Sequence, residues 1–165
     1  MDLTTKTDGA IETWIRNHED RSETAAPLYL QLLEERARRS QAKQKLSLEL
    51  SLGHLKKAAI AQKCTTYGAL AAASGVEWSQ ARHQMNGSHG HLDRLIDLCH
   101  ARGLPLLTAI CVNQDRLKDC ELGAEALIGF AAAGKRLGLL IKDPTSFHHE
   151  SRDECWKWGS EQVEI

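Results

Sequence analysis

Between positions 65 and 113 the chain is broken three times, at Gly75, at Asn86-Gly87 and at Gly103-Leu104-Pro105. Glycine adopts a left-handed backbone freely, and proline forbids a helix from continuing. The breaks therefore divide this stretch into short pieces. Residues 67–74 predict a short helix with Thr65 or Thr66 as its cap and Tyr67, Leu70 and Ala71 on its apolar face. Residues 77–85 predict a second helix after the Gly75 turn. Residues 90–102 predict a third, capped by Ser88, with Leu92, Leu95, Ile96 and Cys99 on one side. The apolar run 106–112 is short enough for a buried strand. Helix, glycine turn, helix, longer helix and strand is the order of a helix-turn-helix with a wing.

The flanks are helical too. Ile11, Trp14, Ile15 and His18 recur at helical spacing within 9–18. A second helix starts near Pro27 and runs through the Arg- and Gln-rich stretch that follows. In 45–55, Leu46, Leu48, Leu50 and Leu52 alternate like a strand, while Leu48, Leu52, Leu55 and Ala59 keep a helical period. Helix-forming Leu, Glu and Lys favour a helix over 47–63. Beyond the strand, 122–134 predicts a helix with Leu127, Ile128 and Phe130 or Ala131 inward. Residues 136–141 fit either a second strand or a helix extension. Asp143-Pro144 starts a last helix that Gly159 should stop, leaving a polar tail. The expected fold is mainly α, a winged-helix-like helix-turn-helix core with a small β element and flanking helices. It divides into 1–23, a short helix and linker; 24–63, a basic helical segment; 64–142, the core; and 143–165, the last helix and tail.

The net charge of -1 hides a segregation. Residues 1–35 carry eight acids and three bases, whereas 36–63 carry one acid, Glu49, and eight bases. Such a segment suits a polyanion or an internal charge pairing. In a helix, Arg36, Arg39 and Lys43 share one stripe, and Lys56, Lys57 and Lys63 follow on the next segment. These are the candidate phosphate contacts. The predicted second helix offers Ser79, Gln80, Arg82, His83, Gln84 and Asn86 outward, donors and acceptors suited to base edges in a major groove. Trp78 is expected to pack beneath it. Trp156 and Trp158 cannot share one helix face, so one is exposed, a candidate contact for a protein partner.

Thr66-Tyr67-Gly68-Ala69-Leu70-Ala71 followed by Gly75 resembles the opening of the winged helix in alkylguanine-DNA alkyltransferases and alkyltransferase-like proteins. The resemblance covers about fifty residues and implies that Tyr67 and Arg82 contact DNA. It stops at the chemistry. That family places Pro-Cys-His-Arg where this chain has Cys111-Val112-Asn113, so the base that would activate the cysteine is missing. The stretch after the strand also looks like small phage- and prophage-encoded proteins of unassigned role.

No nucleotide loop, nucleophile elbow or metalloprotease motif occurs, and Asp93 with Asp97 beside Arg94 looks like a solvated helix face. The spacing of His83, His89, His91, His100 and His148-His149 forms no closed ligand set, so neither metal nor cofactor is expected. Five cysteines without a CxxC fit reduced thiols better than a disulfide framework. No membrane-spanning or secretory segment is evident, which points to the cytoplasm. The expected function is a non-catalytic binder of double-stranded DNA, a small phage or bacterial transcription regulator acting as a homodimer. The alternative is an adaptor or inhibitor, such as a phage anti-defence factor, that binds a host protein through the same scaffold.

Overall fold

The computed structural model describes residues 1–87 and 89–163. Eight α-helices lie among the described residues: α1 (Asp8–Asp20), α2 (Pro27–Gln41), α3 (Leu48–Ile60), α4 (Tyr67–Ala73), α5 (Trp78–Met85), α6 (His91–Ala101), α7 (Ala124–Arg136) and α8 (Pro144–Val163). The expected mainly α class is what the chain adopts.

Local chemistry starts and stops most of these helices. Thr7, Ser47 and Thr66 each accept a bond from a first-turn N–H of α1, α3 and α4. Residues 45–55 resolve in favour of the helix because Leu48, Leu52, Leu55 and Ala59 are all buried at its spacing. Gly75 has φ 72° and closes a Schellman turn: its N–H reaches Ala72 O at 2.9 Å, and the Val76 N–H reaches Ala71 O at 3.1 Å. The expected cap at Ser88 lies outside the described residues.

Packing settles what local signals left open. α2 lies on α1 and α6, α3 on α6 and α8, and α4 bridges α3 and α5. Gly159 does not stop α8; the helix runs through it to Val163. A Cβ at Gly159 would collide with the Ala59 carbonyl, so this glycine allows α8 to approach α3. Ile128 turns outward instead of joining Phe130 and Ala131 in the core. α7 ends at Arg136, and 137–141 form neither strand nor helix.

The β element is smaller than expected and joined differently. Leu107–Ile110 is a 3-10 turn, and only Cys111–Val112 (β2) is strand. It pairs in parallel with Thr65–Thr66 (β1), in the register Thr65 to Cys111 and Thr66 to Val112. A parallel pair needs a long crossover, here α4 to α6, and cannot make a hairpin wing. The expectation of unlinked thiols also fails at one place: Cys64 and Cys120 are disulfide-bonded, with Cα atoms 6.0 Å apart. Cys99, Cys111 and Cys155 are free and buried.

One buried histidine gives the fold a dependence on pH. His91 accepts from Ser51 Oγ at Nε2 (2.7 Å) and donates from Nδ1 to Gln44 Oε1 (3.2 Å). Both bonds belong to the neutral ring, and burial pushes its pKa down from 6.5 to about 4. The unfolded chain therefore takes up this proton first. The stability involved is complete above about pH 6.5 and is lost as pH falls towards about 4, a change of about 3 kcal/mol. Urea denaturation across this window should show the loss, and His91→Gln should flatten it. An unchanged pH profile in that variant would show that other groups carry it.

Candidate nucleic-acid interface

Ala81 and Met85 are fully buried beneath α5, four residues apart and so on one face. Ser79, Gln80, Arg82, His83 and Asn86 are left exposed on its outer side. Gln84 is half-buried, and its Oε1 accepts from the Lys45 backbone N–H at 3.3 Å, seating the α2–α3 loop against the end of α5. Trp78 does not pack beneath the helix. It keeps 41% of its surface exposed and stacks on Tyr67, ring centroids 6.4 Å apart. Tyr67 is only 7% exposed, so it serves as the platform for Trp78 and is not available as a DNA contact.

Arg36, Arg38, Arg39, Arg94, Arg102, Arg136 and Arg152 all hold carboxylates. Arg82 belongs with Arg16, Arg21 and Arg116, exposed and without an ion pair among the described residues, and it is the one of these that lies on α5.

Beside α5 runs a groove of about 460 Å³, lined by Arg36, Lys43, His83, His89 and Arg94, with Glu12 as its acid. Lys43 and Arg36 thus reach the neighbourhood of α5, but Arg36 does so from the interior. It is 9% exposed and bonds to Asp97 (2.7 Å) and Glu12 (3.2 Å). Arg39 is turned the other way, clamping Asp8 (2.7 Å), Glu35 (3.3 Å) and the Leu3 and Lys6 carbonyls. The expected stripe is split by internal pairing, because α2 is covered by the acidic α1. Lys56, Lys57 and Lys63 belong to α3 and the turn after it, and none lines this groove. Trp156 and Trp158 are both partly buried against the core. The Trp156 indole donates to Lys63 O at 3.4 Å and its ring lies under Arg152.

The periodicity gave no warning of the network behind the groove. Asp97 is completely buried, not solvated. Its Oδ2 meets Arg36 (2.7 Å) and Arg94 (2.9 Å), and its Oδ1 meets Arg136 (2.8 Å). Arg136 also reaches Glu19 (3.3 Å), which accepts from the Tyr29 hydroxyl at 2.7 Å. A larger cavity of about 780 Å³ opens between α1, α6 and α7 against this network. Its arginines are Arg16, Arg36, Arg94 and Arg136, and Glu12, Glu19, Asp93 and Glu125 share the wall. With charges matched, it is a weaker anion trap than the groove beside α5. Burial pushes the Asp93 carboxyl up and the Arg94 guanidinium down, both against holding excess charge there. Burial likewise pushes the Cys111 thiol well up, away from a reactive thiolate.

Compared with family models, curated proteins and solved structures, the chain has no match, so its function is argued from these residues.

Proposed function

We propose that this protein binds double-stranded DNA without catalysing a reaction. In this reading α5 lies in the major groove, and Ser79, Gln80, Arg82, His83 and Asn86 meet base edges. Gln84 is reassigned to holding the α2–α3 loop. Lys43, Lys45 and the groove that Arg36 and Arg94 line face the adjacent phosphates. The observation that carries the reading is Arg82: an exposed arginine without an internal partner, on a helix whose other outward side chains, Trp78 apart, are hydrogen-bonding groups. A guanidinium so placed can take guanine O6 and N7 or a phosphate. Two copies acting as a homodimeric regulator would read two half-sites about one DNA turn apart. Because Asp97 and Glu12 offset Arg36 and Arg94, the grip on phosphate should be modest and best seen at low salt.

A gel-shift titration on mixed-sequence duplex DNA at two salt concentrations tests this. Wild-type protein should shift DNA at low salt and release it as salt rises. Arg82→Ala should weaken binding and, if Arg82 meets phosphate, lower the salt slope by about one. Absence of any shift at low salt, or an Arg82→Ala protein that binds like wild type, would overturn the reading. The adaptor alternative has one observation of its own: Leu140 is 88% exposed, Leu139 before it is also exposed, and Ile128 on α7 is 70% exposed. Those side chains suit an apolar protein surface and would be indifferent to Arg82 and to salt.

A further inference from the structure

The two neighbouring histidines of α8 meet a carboxylate from a distant segment. His149 Nε2 lies 2.7 and 2.9 Å from the two oxygens of Glu121. His148 Nδ1 lies 3.8 Å from Glu121 Oε2. One nitrogen of each ring and a Glu121 oxygen all fall within 4.8 Å of one another. A tetrahedral zinc ion with bonds of about 2.0–2.2 Å sets its ligands about 3.3 Å apart, so small side-chain movements would close this set.

The tautomer of His148 decides what the cluster is for. Its Nε2 lies 2.8 Å from the Ala109 carbonyl, which can only accept, so Nε2 carries the proton. Nδ1 then turns a lone pair towards a carboxylate oxygen, and neither atom has a proton to share. The ring is buried, so water cannot stand in as a partner for Nδ1. A cation between the two atoms removes the conflict. A carbonyl that accepts from the far nitrogen is also the usual outer support of a metal-bound histidine. Arg152 NH1 donates to Cys120 O (2.9 Å) and sits 3.4 Å from Glu121 Oε1, so it occupies the other carboxylate oxygen and leaves Oε2 for the ion.

We propose that His148 Nδ1, His149 Nε2 and Glu121 Oε2 form a binding site for a divalent cation of the zinc class. Two imidazoles and one carboxylate suit such a borderline ion better than calcium or magnesium, which prefer oxygen. To ligate through Nε2, the His149 ring must carry its proton on Nδ1. Glu121 and His149 are about one-third exposed, so the fourth position faces water. The ion would pin the segment before α7 onto α8. The histidine spacing could not reveal this site, because its third ligand lies 28 residues from His149.

Zinc chloride titrated into chelator-treated protein by calorimetry, with visible absorption of bound cobalt as a second readout, tests the site. The Cys64–Cys120 disulfide is kept closed so that no accessible thiol competes; the other three cysteines are buried. One-to-one, saturable binding is expected, with tetrahedral cobalt absorption. His149→Ala and Glu121→Gln should each weaken it by more than the roughly 10–100-fold that loss of an outer-shell partner costs. Far-UV circular dichroism checks that both variants fold; if Glu121→Gln does not, His149→Ala, at the more exposed ligand, decides alone. Lack of one-to-one binding, or a His149→Ala protein that binds zinc as tightly as wild type, would overturn the proposal.

Discussion

Asp97→Asn is expected to destabilise the protein by about 3–5 kcal/mol, the cost of removing one partner from a buried charge pair. The size follows from where the carboxylate sits. Asp97 is completely buried, and arginines from α2, α6 and α7 all meet it within 2.9 Å. Asparagine keeps the shape but brings no charge, so three guanidiniums would face one another across an uncharged amide. Arg36 would retain Glu12 and Arg136 would retain Glu19, which keeps the loss below the sum of three broken pairs. Glu49→Gln is the matched control. Glu49 pairs with Arg102 at 2.7 Å, but its side chain is 68% exposed, and such pairs contribute about 0–1 kcal/mol. Urea midpoints of the two variants measure the contrast. If Asp97→Asn costs no more than Glu49→Gln, water reaches the cluster and it is not the anchor that joins these helices. Because Asp97 also holds Arg36 and Arg94, a folded Asp97→Asn protein should bind DNA differently as well.

Opening the Cys64–Cys120 disulfide is expected to cost about 4 kcal/mol. The two residues are 56 apart in sequence, and a link across a loop of that length removes about 14 cal/mol/K of chain entropy from the unfolded state. Strain or residual unfolded structure would lower the observed figure towards about 2 kcal/mol. The bond ties the start of β1 to the segment that delivers Glu121, so its loss should also loosen the proposed cation site. Urea midpoints with and without reductant, for wild type and Cys64→Ser, measure the effect. Reductant should lower the wild-type midpoint to that of the variant and leave the variant unmoved. A wild-type midpoint that ignores reductant would mean that the two thiols are only neighbours.

Much of the fold was legible because its signals are local. Ser47, Thr66, Gly75, Asn86 and Gly103 mark helix ends within one turn of themselves, and α3 declared itself through Leu48, Leu52 and Leu55. The β element was misjudged because 106–112 is apolar throughout, which gives burial but not backbone conformation. Of the proposed DNA-facing residues, Ser79, Gln80, Arg82, His83 and Asn86 are exposed as periodicity predicts, since Ala81 and Met85 define the buried side of so short a helix. Periodicity placed Tyr67 correctly on the apolar face of α4; the DNA contact implied by the resemblance is what fails, because the ring is buried and stacked on Trp78.

By itself, the sequence determined the helices, most of their stops and the polar outer face of α5, because each depends on residues a few positions apart. Tertiary structure alone decided which charges are spent inside. Arg36 and Asp97 are separated by 61 positions, and Glu121 and His149 by 28. In the stretch between 65 and 113, that difference separates Arg82, outward and unengaged, from Arg94, drawn inward to a carboxylate it shares with two other helices. Coulomb attraction acts on distance in space, and a basic stripe in sequence cannot show whether an acidic helix will fold over it.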